Sequence, residues 1–291
     1  MKAIQTGYSV PISRAMGMLY PKEKRLYNDP LSEKLVSGMD IFWFYLIRIP
    51  KMFDLMMKYG ERKMPGAMGS FFCRFRYIDD LLKDSITTKE IETVVNLGAG
   101  MDPRAYYIPG TESIRYFEVD HPKVIKKKMK KIYKVLGKLP DHVVYVPMDF
   151  EKQSLDTELT TAGYDLSGKT LFISEGVTQY LSEEANDNAL KYVARAASGS
   201  KIAFTYVLKS FIDGENIHDG IKYLYNTMVK KQKIFIFGFD PEDISDYLSN
   251  YSLSLIEDVG ANEYQERYKI LENLGLEVYE IERMVLAEVK R

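Results

Sequence analysis

Two glycines one residue apart follow a run of β-branched residues in segment 94–104, VVNLGAGMDPR. Glycine adopts backbone conformations that other residues avoid, so Gly98 and Gly100 could let the main chain approach a ligand closely. Pro103 stands where the first residue of a following helix is expected, because the fixed φ of proline suits that position. The pattern predicts a strand–turn–helix cradle for a nucleotide.

An acidic residue ends the next strand-like segment. Asp120 follows Ile114–Val119 and lies 22 residues after Gly98. In a doubly wound sheet, a carboxylate at this position faces the hydroxyl groups of a ribose. The spacing therefore predicts that the ligand contains a nucleoside.

Two cofactor classes fit this turn. A dinucleotide fingerprint needs a third glycine at position 103, so that a helix N-terminus can hold the pyrophosphate, but the chain has Pro103 there with Asp102 beside it. A carboxylate at that point disfavours a phosphate. S-adenosylmethionine carries a cationic sulfonium and no phosphate, and we therefore prefer it to NAD. A tight turn without a ligand remains an alternative.

Strand-like and helix-like segments alternate after residue 90, which is typical of a doubly wound, mostly parallel sheet with helices on both faces. The strand candidates are Thr93–Leu97, Ile114–Val119, Val143–Val146, Thr170–Ile173 and Ile202–Val207. The helix candidates are Pro103–Tyr107, Pro122–Leu136, Leu155–Ala162 and Ser182–Ala197. At the end of the chain, strand-like Leu253–Val259 and Glu277–Val289 flank helix-like Asn262–Leu274.

The first third of the chain has helical periodicity broken by prolines, which predicts a helical cap or lid over residues 1–85. Residues 86–291 would form the ligand-binding domain, and the two parts one compact unit. The apolar segment 41–72 fits a lid over a substrate, a plain helical core or a membrane-docking surface. The lysine run 126–131 is expected on the solvated side of helix 122–136 rather than at an anion site.

Composition excludes several classes of protein. With 46% hydrophobic and 28% charged residues the chain is globular, and a net charge of −1 gives no general basis for nucleic-acid binding. Its single cysteine, Cys73, excludes an internal disulfide and a multi-cysteine metal site. The longest apolar run, Ile41–Ile47, is too short to span a membrane, and the first residues lack the apolar stretch of a signal peptide. We expect a cytoplasmic protein without a metal ion or integral membrane segment.

Four ordered blocks resemble the leucine carboxyl methyltransferase family. They are NLGAGMDPRAYYIP at 96–109, YFEVDHPKVIKKK at 116–128, VPMDF at 146–150 and ISEGVTQYLSEE at 173–184. Segments 13–15, 26–31 and 74–80 are similar to the family's amino-terminal blocks, so the resemblance spans nearly the whole chain. It implies a Rossmann-like class I methyltransferase fold with an N-terminal helical cap. The implied activity is O-methyl transfer from S-adenosylmethionine, with S-adenosylhomocysteine as the product.

The resemblance also implies a set of cofactor-binding residues. They are Arg76, Gly98, Gly100, Asp120, His121, Asp149, Phe150, Glu175 and Tyr180.

Arg76 would pair with the cofactor carboxylate, beside the backbone of the two glycines, and Asp120 would hold both ribose hydroxyls. Asp149 and the Phe150 backbone would face the adenine. Each role has a structural alternative: Arg76 could pair with Asp79 or Asp80 along its own helix, and Asp149 could cap a helix.

Glu175 and Tyr180 would close the methionine and methyl side of the pocket. Glu175 follows the fourth strand, at the sheet edge where such folds place ligands. His121 is expected to begin a helix before Pro122, with a contact to ribose or adenine as the alternative.

The methyl acceptor is not defined by these residues. We expect a small molecule, with a protein C-terminal carboxylate as the alternative, and a monomer as the default state. A carboxylate acceptor would need a cation for orientation, for which Arg14, Arg25 and Arg104 are candidates, each with a surface arginine as the alternative. A hydroxyl acceptor would need a base, and we assign none. An NAD(P)-dependent oxidoreductase and a non-catalytic S-adenosylmethionine-binding protein remain competing functions.

Overall fold

A computed structural model of the chain describes residues 10–290. Residues 1–9 and residue 291 lie outside this range. The start of the predicted cap and most of the first thirteen residues, which were predicted not to form a signal peptide, are therefore not described.

Within residues 10–290, seven strands form one twisted sheet in the order β3-β2-β1-β4-β5-β7-β6. The strands are β1 Thr93–Leu97, β2 Arg115–Asp120, β3 Val143–Pro147, β4 Thr170–Ser174, β5 Lys201–Val207, β6 Leu253–Val259 and β7 Glu282–Val289. Strands β1 to β5 run parallel, and β7 is antiparallel to both β5 and β6. The prediction of a mostly parallel sheet is confirmed.

Helices lie before the first strand and between the strands. The front helices are α1 Val10–Gly17, α2 Ser32–Leu35, α3 Met39–Ile47, α4 Pro50–Lys63 and α5 Ala67–Thr87. Those within the sheet region are α6 Pro122–Leu136, α7 Leu155–Thr161, α8 Glu183–Val193, α9 Lys209–Asp213, α10 Asp219–Leu224, α11 Ile244–Ser249, α12 Ala261–Arg267 and α13 Ile270–Leu274. A π-helical turn at Tyr225–Lys231 continues α10.

Alternating residues of the buried strands face two separate hydrophobic cores, as the period of a strand requires. Val94 of β1 packs in one core together with Phe75 and Ile78 of α5, whereas Val95 packs in the other with Leu190 of α8. Helices therefore cover both faces of the sheet. Because α5 shares a core with the strands, the division proposed at residue 86 is no break in packing.

The predicted elements agree best where periodicity and end signals coincide. Helix α6 has the predicted bounds, with proline in its first turn and glycine at its C-cap. The predicted helix at 103–107 is only a 3₁₀ turn, Arg104–Tyr106. The predicted terminal strand begins at Glu282, not at residue 277, and segment 262–274 forms two short helices, α12 and α13.

Candidate functional site

The strand order reverses between β1 and β4, and a cavity of about 590 Å³ opens at the carboxyl ends of the parallel strands there. Open α/β sheets bind ligands at such a switch point. Eight of the nine predicted cofactor-binding residues line the cavity. They are Gly98, Gly100, Asp120, His121, Asp149, Phe150, Glu175 and Tyr180.

The turn after β1 depends on glycine. Gly98 and Gly100 have φ values of 70° and 47°, and a Cβ atom on Gly98 would lie 2.3 Å from Cγ2 of Val177. The main chain at this turn therefore reaches the cavity without a side chain in between. Only the 3₁₀ turn Arg104–Tyr106 follows, so no α-helix N-terminus is present to hold a pyrophosphate. This local structure disfavours the dinucleotide alternative.

Asp120 closes the other side of the glycine turn. Its Oδ2 accepts from the backbone N–H of Gly100 and its Oδ1 from that of His121, both at 2.6 Å. Burial raises the pKa of Asp120, although the two backbone donors oppose the shift. Each carboxylate oxygen keeps a second lone pair, so Asp120 can still accept from two hydroxyl groups of a ribose.

A buried ion pair stabilises the glycine turn after β1. Nζ of Lys128 on α6 lies 2.8 Å from Oε1 of Glu118 and donates to the carbonyl oxygen of Ala99 at 3.2 Å. The prediction that the whole lysine run is solvated is wrong for Lys128, which is fully buried. Burial raises the pKa of Glu118 to about 7, against the opposing effect of Lys128.

Arg74 of α5 is the arginine that faces the cavity. Its Nε donates to Oε1 of Glu175 at 2.9 Å and its Nη1 to Oε1 of Glu282 at 2.5 Å. These two carboxylates raise the pKa of Arg74, although burial alone would lower it. Nη2 has no hydrogen-bond partner among the described residues and lies 3.7 Å from the position of a Cβ on Gly176. The guanidinium group is thus held in place with donors left for an anionic ligand.

Arg76, which the sequence analysis assigned to the cofactor carboxylate, does not line the cavity. Its Nε pairs with Oδ2 of Asp80 at 2.5 Å and its Nη1 donates to the carbonyl oxygen of Leu26. Residues two apart on a helix point in directions about 200° apart, so Arg74 and Arg76 cannot face the same cavity. Arg76 therefore forms the ion pair within its own helix that was the structural alternative, and Arg74 is the residue that faces the cavity.

The three arginines proposed to orient an acceptor also lie outside the cavity lining. Arg14 is fully buried and bonds to Asp29 and Asp79. Arg25 donates to the carbonyl oxygen of Tyr20. These positions do not support a substrate role for either residue, because their donors are directed to other parts of the front helices.

Arg104 is buried behind Glu175 rather than exposed to the cavity. Its Nη1 donates to Oε2 of Glu175 at 2.6 Å, and its Nε to Oδ1 of Asp79 at 2.6 Å. Both oxygens of Glu175 therefore accept from arginines, Oε1 from Arg74 and Oε2 from Arg104. The two arginines fix the carboxylate of Glu175 at the cavity wall, so Arg104 acts as a positioning residue.

The remaining predicted residues, His121, Asp149, Phe150 and Tyr180, also line the cavity. His121 is the N-cap of α6, with Nδ1 accepting from the backbone N–H of Lys123 at 3.2 Å, and it also lines the cavity. Asp149 accepts from the backbone N–H of Glu151 at 3.2 Å, without capping a helix, and reaches the cavity next to Phe150. Tyr180 lines the cavity and its ring packs edge-to-face on that of Phe235, another lining residue.

Sequence reasoning missed the side of the cavity that is remote from the glycine turn. Met64, Phe71, Met228 and Phe235 line it with apolar surface, and Glu282 contributes a carboxylate from β7. Residues 195–290 carried no recognised motif, so the sequence held no local signal for Glu282.

Several observations indicate that this cavity fits S-adenosylmethionine. The described lining residues include six carboxylates against three cationic side chains, which suits a ligand with a sulfonium and an ammonium group. The lining residue Gln179 has a buried Oε1 with no hydrogen-bond partner among the described residues. A buried acceptor of this kind is costly without a donor, and a bound ligand could supply one.

In residues 10–290, no group of three or more His, Cys, Asp or Glu side chains is placed to hold a metal ion. Over the same residues, no helix has both the length and the apolar character needed to cross a lipid bilayer.

Residues 9–194 match the family model of leucine carboxyl methyltransferase. The match includes the glycine turn, Asp120 and Glu175, and it ends at α8. The recognised family is therefore confirmed, although the match stops short of the nearly whole-chain resemblance inferred from the sequence.

Two curated relatives have names that describe an activity. A Mycolicibacterium gilvum protein provisionally named an S-adenosyl-L-methionine-dependent methyltransferase is 29% identical over 198 residues, covering 66% of this chain and 64% of its own length. A protein with the same provisional name from Streptomyces coelicolor is 27% identical over 206 residues, covering 70% of each chain. The first alignment thus spans less than two thirds of its relative. Both names agree with the predicted enzyme class and cofactor.

A solved structure has the same fold. The crystal structure of a provisionally named methyltransferase from Thermobifida fusca YX superposes with a TM-score of 0.54 at 15% identity, covering 82% of this chain and 88% of that one. The predicted class I methyltransferase fold is confirmed by this likeness and by the sheet order.

Proposed function

Because the chain belongs to the leucine carboxyl methyltransferase family, we propose that it transfers the methyl group of S-adenosylmethionine to an oxygen atom of a small-molecule acceptor. The observation that carries the proposal is the arrangement of Gly98, Asp120 and Arg74 around one cavity at the switch point of the sheet. These groups provide close backbone approach, hydroxyl recognition and carboxylate recognition, which are the three requirements of an adenosine joined to an amino acid.

In the proposed site, different residues would bind the ribose, the adenine and the amino-acid part of the cofactor. Asp120 would hold the ribose hydroxyls, and Asp149 with Phe150 would border the adenine. Arg74 would hold the amino-acid carboxylate through Nη2, which has no hydrogen-bond partner among the described residues. Bound in this way, S-adenosylmethionine supplies an electrophilic methyl group on a cationic sulfur. Glu175, fixed by two arginines, places negative charge near that end of the cavity.

The acceptor would occupy the apolar side of the cavity. Met64, Phe71, Met228 and Phe235 exclude water there, and adaptable methionine side chains suit a bulky apolar molecule. In an in-line displacement the protein mainly aligns the reacting atoms, so this enclosure is its main contribution. A small acceptor with a carboxylate or a hydroxyl group fits such a chamber better than a folded protein terminus.

Two candidate bases that line the cavity, Glu175 and His121, are already engaged as hydrogen-bond acceptors. Both oxygens of Glu175 accept from arginines, and Nδ1 of His121 accepts from a backbone N–H, so neither group is free to take a proton. This arrangement favours an acceptor that is already anionic or that ionises readily, such as a carboxylate or an acidic phenol.

Calorimetry with S-adenosylhomocysteine tests the cofactor site. We expect micromolar binding by the wild type, a loss of about tenfold in Asp120→Asn as a charged acceptor becomes neutral, and no change in the control Asp141→Asn, which alters an exposed carboxylate before β3. A wild type that binds NAD instead would contradict the proposal.

Methyl transfer is tested separately with labelled S-adenosylmethionine and a panel of small carboxylic acids, phenols and alcohols. We expect label to appear on an oxygen of an apolar acceptor, and faster transfer to acidic than to unactivated hydroxyl groups. Binding of S-adenosylhomocysteine without transfer to any acceptor, including those in a cell extract, would support the non-catalytic alternative.

A further inference from the structure

Exposed apolar side chains are concentrated on the front helices, outside the cavity. Of the thirteen exposed large apolar or aromatic side chains in residues 10–290, eight lie between residues 39 and 59. Met39 is 78%, Phe42 68% and Trp43 51% exposed, and none of them lines the cavity. Single exposed apolar residues are ordinary, whereas a contiguous group marks an interaction site. We call the exposed side chains of residues 39–63 the α3–α4 face.

Helix α3 is apolar on almost every side. It buries Phe44 and Ile47, while Phe42, Trp43 and Tyr45 face solvent. A helix with apolar residues all round is normally enclosed by protein or by lipid. Its nine residues extend about 13 Å, less than half the hydrocarbon thickness of a bilayer, so α3 can lie along a membrane but cannot cross one.

Helix α4 adds positive charge to this set of exposed side chains. It buries Phe53 and Met57, and its exposed side carries Lys51, Lys58 and Arg62, interleaved with Leu55 and Tyr59.

Its cationic residues also include exposed Lys63, whereas of the two acids of the helix Asp54 is exposed and Glu61 is half-buried. Lysines, aromatic rings and aliphatic side chains on one helical face are typical of segments that lie in the headgroup region of an anionic bilayer.

We propose that the α3–α4 face docks this protein on an anionic lipid bilayer. Trp43 and Tyr45 would sit at the level of the headgroups, as aromatic side chains do at membrane interfaces. The lysines of α4 would contact the lipid phosphates. A second copy of the chain fits less well, because lysine is depleted at protein–protein interfaces and this face is rich in it.

Docking through the α3–α4 face would place the acceptor side of the cavity near the bilayer. Helix α4 ends at Lys63, and the next residue, Met64, lines the apolar side of the cavity together with Phe71 of α5. The membrane contact and the acceptor chamber therefore belong to one helical hairpin. A lipophilic acceptor that partitions into the bilayer would be concentrated next to the chamber.

The chain has a single tryptophan, Trp43, which reports directly on the face. We expect its emission to shift to the blue, and acrylamide quenching to fall, when vesicles of phosphatidylglycerol and phosphatidylcholine are added. Vesicles of phosphatidylcholine alone should have a much smaller effect, and salt should weaken binding to the anionic ones.

Substitutions separate charge from apolar contact. Lys51→Gln and Lys58→Gln should each lower partitioning by about fivefold, as expected for one cation at an anionic surface. Phe42→Ser should weaken it further, and the control Tyr133→Ser, which removes an exposed ring from α6, should leave it unchanged.

Three results would overturn the proposal. The first is Trp43 emission that anionic vesicles do not change. The second is equal binding to neutral vesicles with no effect of the lysine substitutions. The third is a concentration-dependent dimer, measured by light scattering without lipid, in which Trp43 becomes protected from quenching, because a second copy would then cover the face.

Discussion

Replacing Arg74 and Arg76 separately by glutamine gives a matched comparison on one helix. The two arginines are two residues apart on α5, but only Arg74 lines the cavity. Arg74→Gln removes the guanidinium group beside Gly176, whereas Arg76→Gln removes a pair with Asp80 whose side chains are 40% and 34% exposed. If the cavity holds the cofactor carboxylate as proposed, only the first change affects binding.

The expected sizes follow from the surroundings of each side chain. A hydrogen bond between a guanidinium group and a carboxylate contributes about 2 kcal/mol, which corresponds to about 30-fold in affinity for S-adenosylhomocysteine. An exposed pair four residues apart contributes at most about 0.5 kcal/mol to stability and nothing to a distant site. Among the described residues, Arg74→Gln also leaves Glu282 with the hydroxyl of Tyr279 as its one remaining side-chain donor, so the melting temperature of this variant should fall.

Isothermal titration calorimetry on both variants measures the difference, with circular dichroism to verify that each is folded. Arg74→Lys restores the charge without the planar fork and should recover only part of the affinity. Equal losses in Arg74→Gln and Arg76→Gln, or a larger loss in Arg76→Gln, would refute the assignment. Unchanged affinity in Arg74→Gln would place the cofactor carboxylate elsewhere.

Two further predictions concern the support of the glycine turn. Gly98→Ala should lower both stability and cofactor affinity, because the added Cβ would meet Val177. The control Gly137→Ala also lies at a positive φ, 77°, but has open space around the added Cβ. Thermal melting should therefore show a loss of only about 1–2 kcal/mol for the control, from conformational strain. Burial raises the pKa of Glu118 from 4.5 to about 7. Between these two pH values the folded state therefore keeps a proton that the unfolded state releases. As the pH rises across that interval, this group should lower the free energy of unfolding by up to about 3 kcal/mol. Urea denaturation at several pH values should show that slope, and the double variant Glu118→Gln, Lys128→Met should flatten it; an unaltered slope would exclude Glu118 as its source.

The sequence was sufficient for the elements that have strong local signals. Strands β1 and β6 have the predicted bounds. The TVVNL segment of β1 is rich in β-branched residues, and a glycine directly follows each of the two strands. The glycine turn and Asp120 were found because their roles depend on backbone conformation and on spacing along consecutive strands. Both are properties of short segments of the chain.

Which of Arg74 and Arg76 faces the cavity depends on the side of helix α5 that each residue occupies. The motifs in the sequence do not define that side. Both arginines occur in the segment RFR, and both have aromatic neighbours. The spacing held a usable signal, since Arg74 continues the apolar stripe of Phe71 and Ile78, while Arg76 precedes Asp80 by one helical turn. Glu282 could not be predicted at all, because its contact with Arg74 joins residues 208 positions apart in the chain.

The buried arginines show why cationic residues near a site need not bind substrate. Asp79 accepts from Arg14, Arg104 and the hydroxyl of Tyr107, so it joins α1 to α5 and to the turn after β1. Although burial alone would raise the pKa of Asp79, the two guanidinium groups lower it below its usual value.

The wider network contains three arginines and five carboxylates. Its members are Arg14, Arg74, Arg104, Asp29, Asp79, Asp102, Glu175 and Glu282. Two negative charges are therefore left over, and four members of the network, Arg74, Asp102, Glu175 and Glu282, line the cavity. An excess of negative charge favours a cationic methyl donor over its neutral product, so the same network that fixes the front helices would help release S-adenosylhomocysteine after transfer.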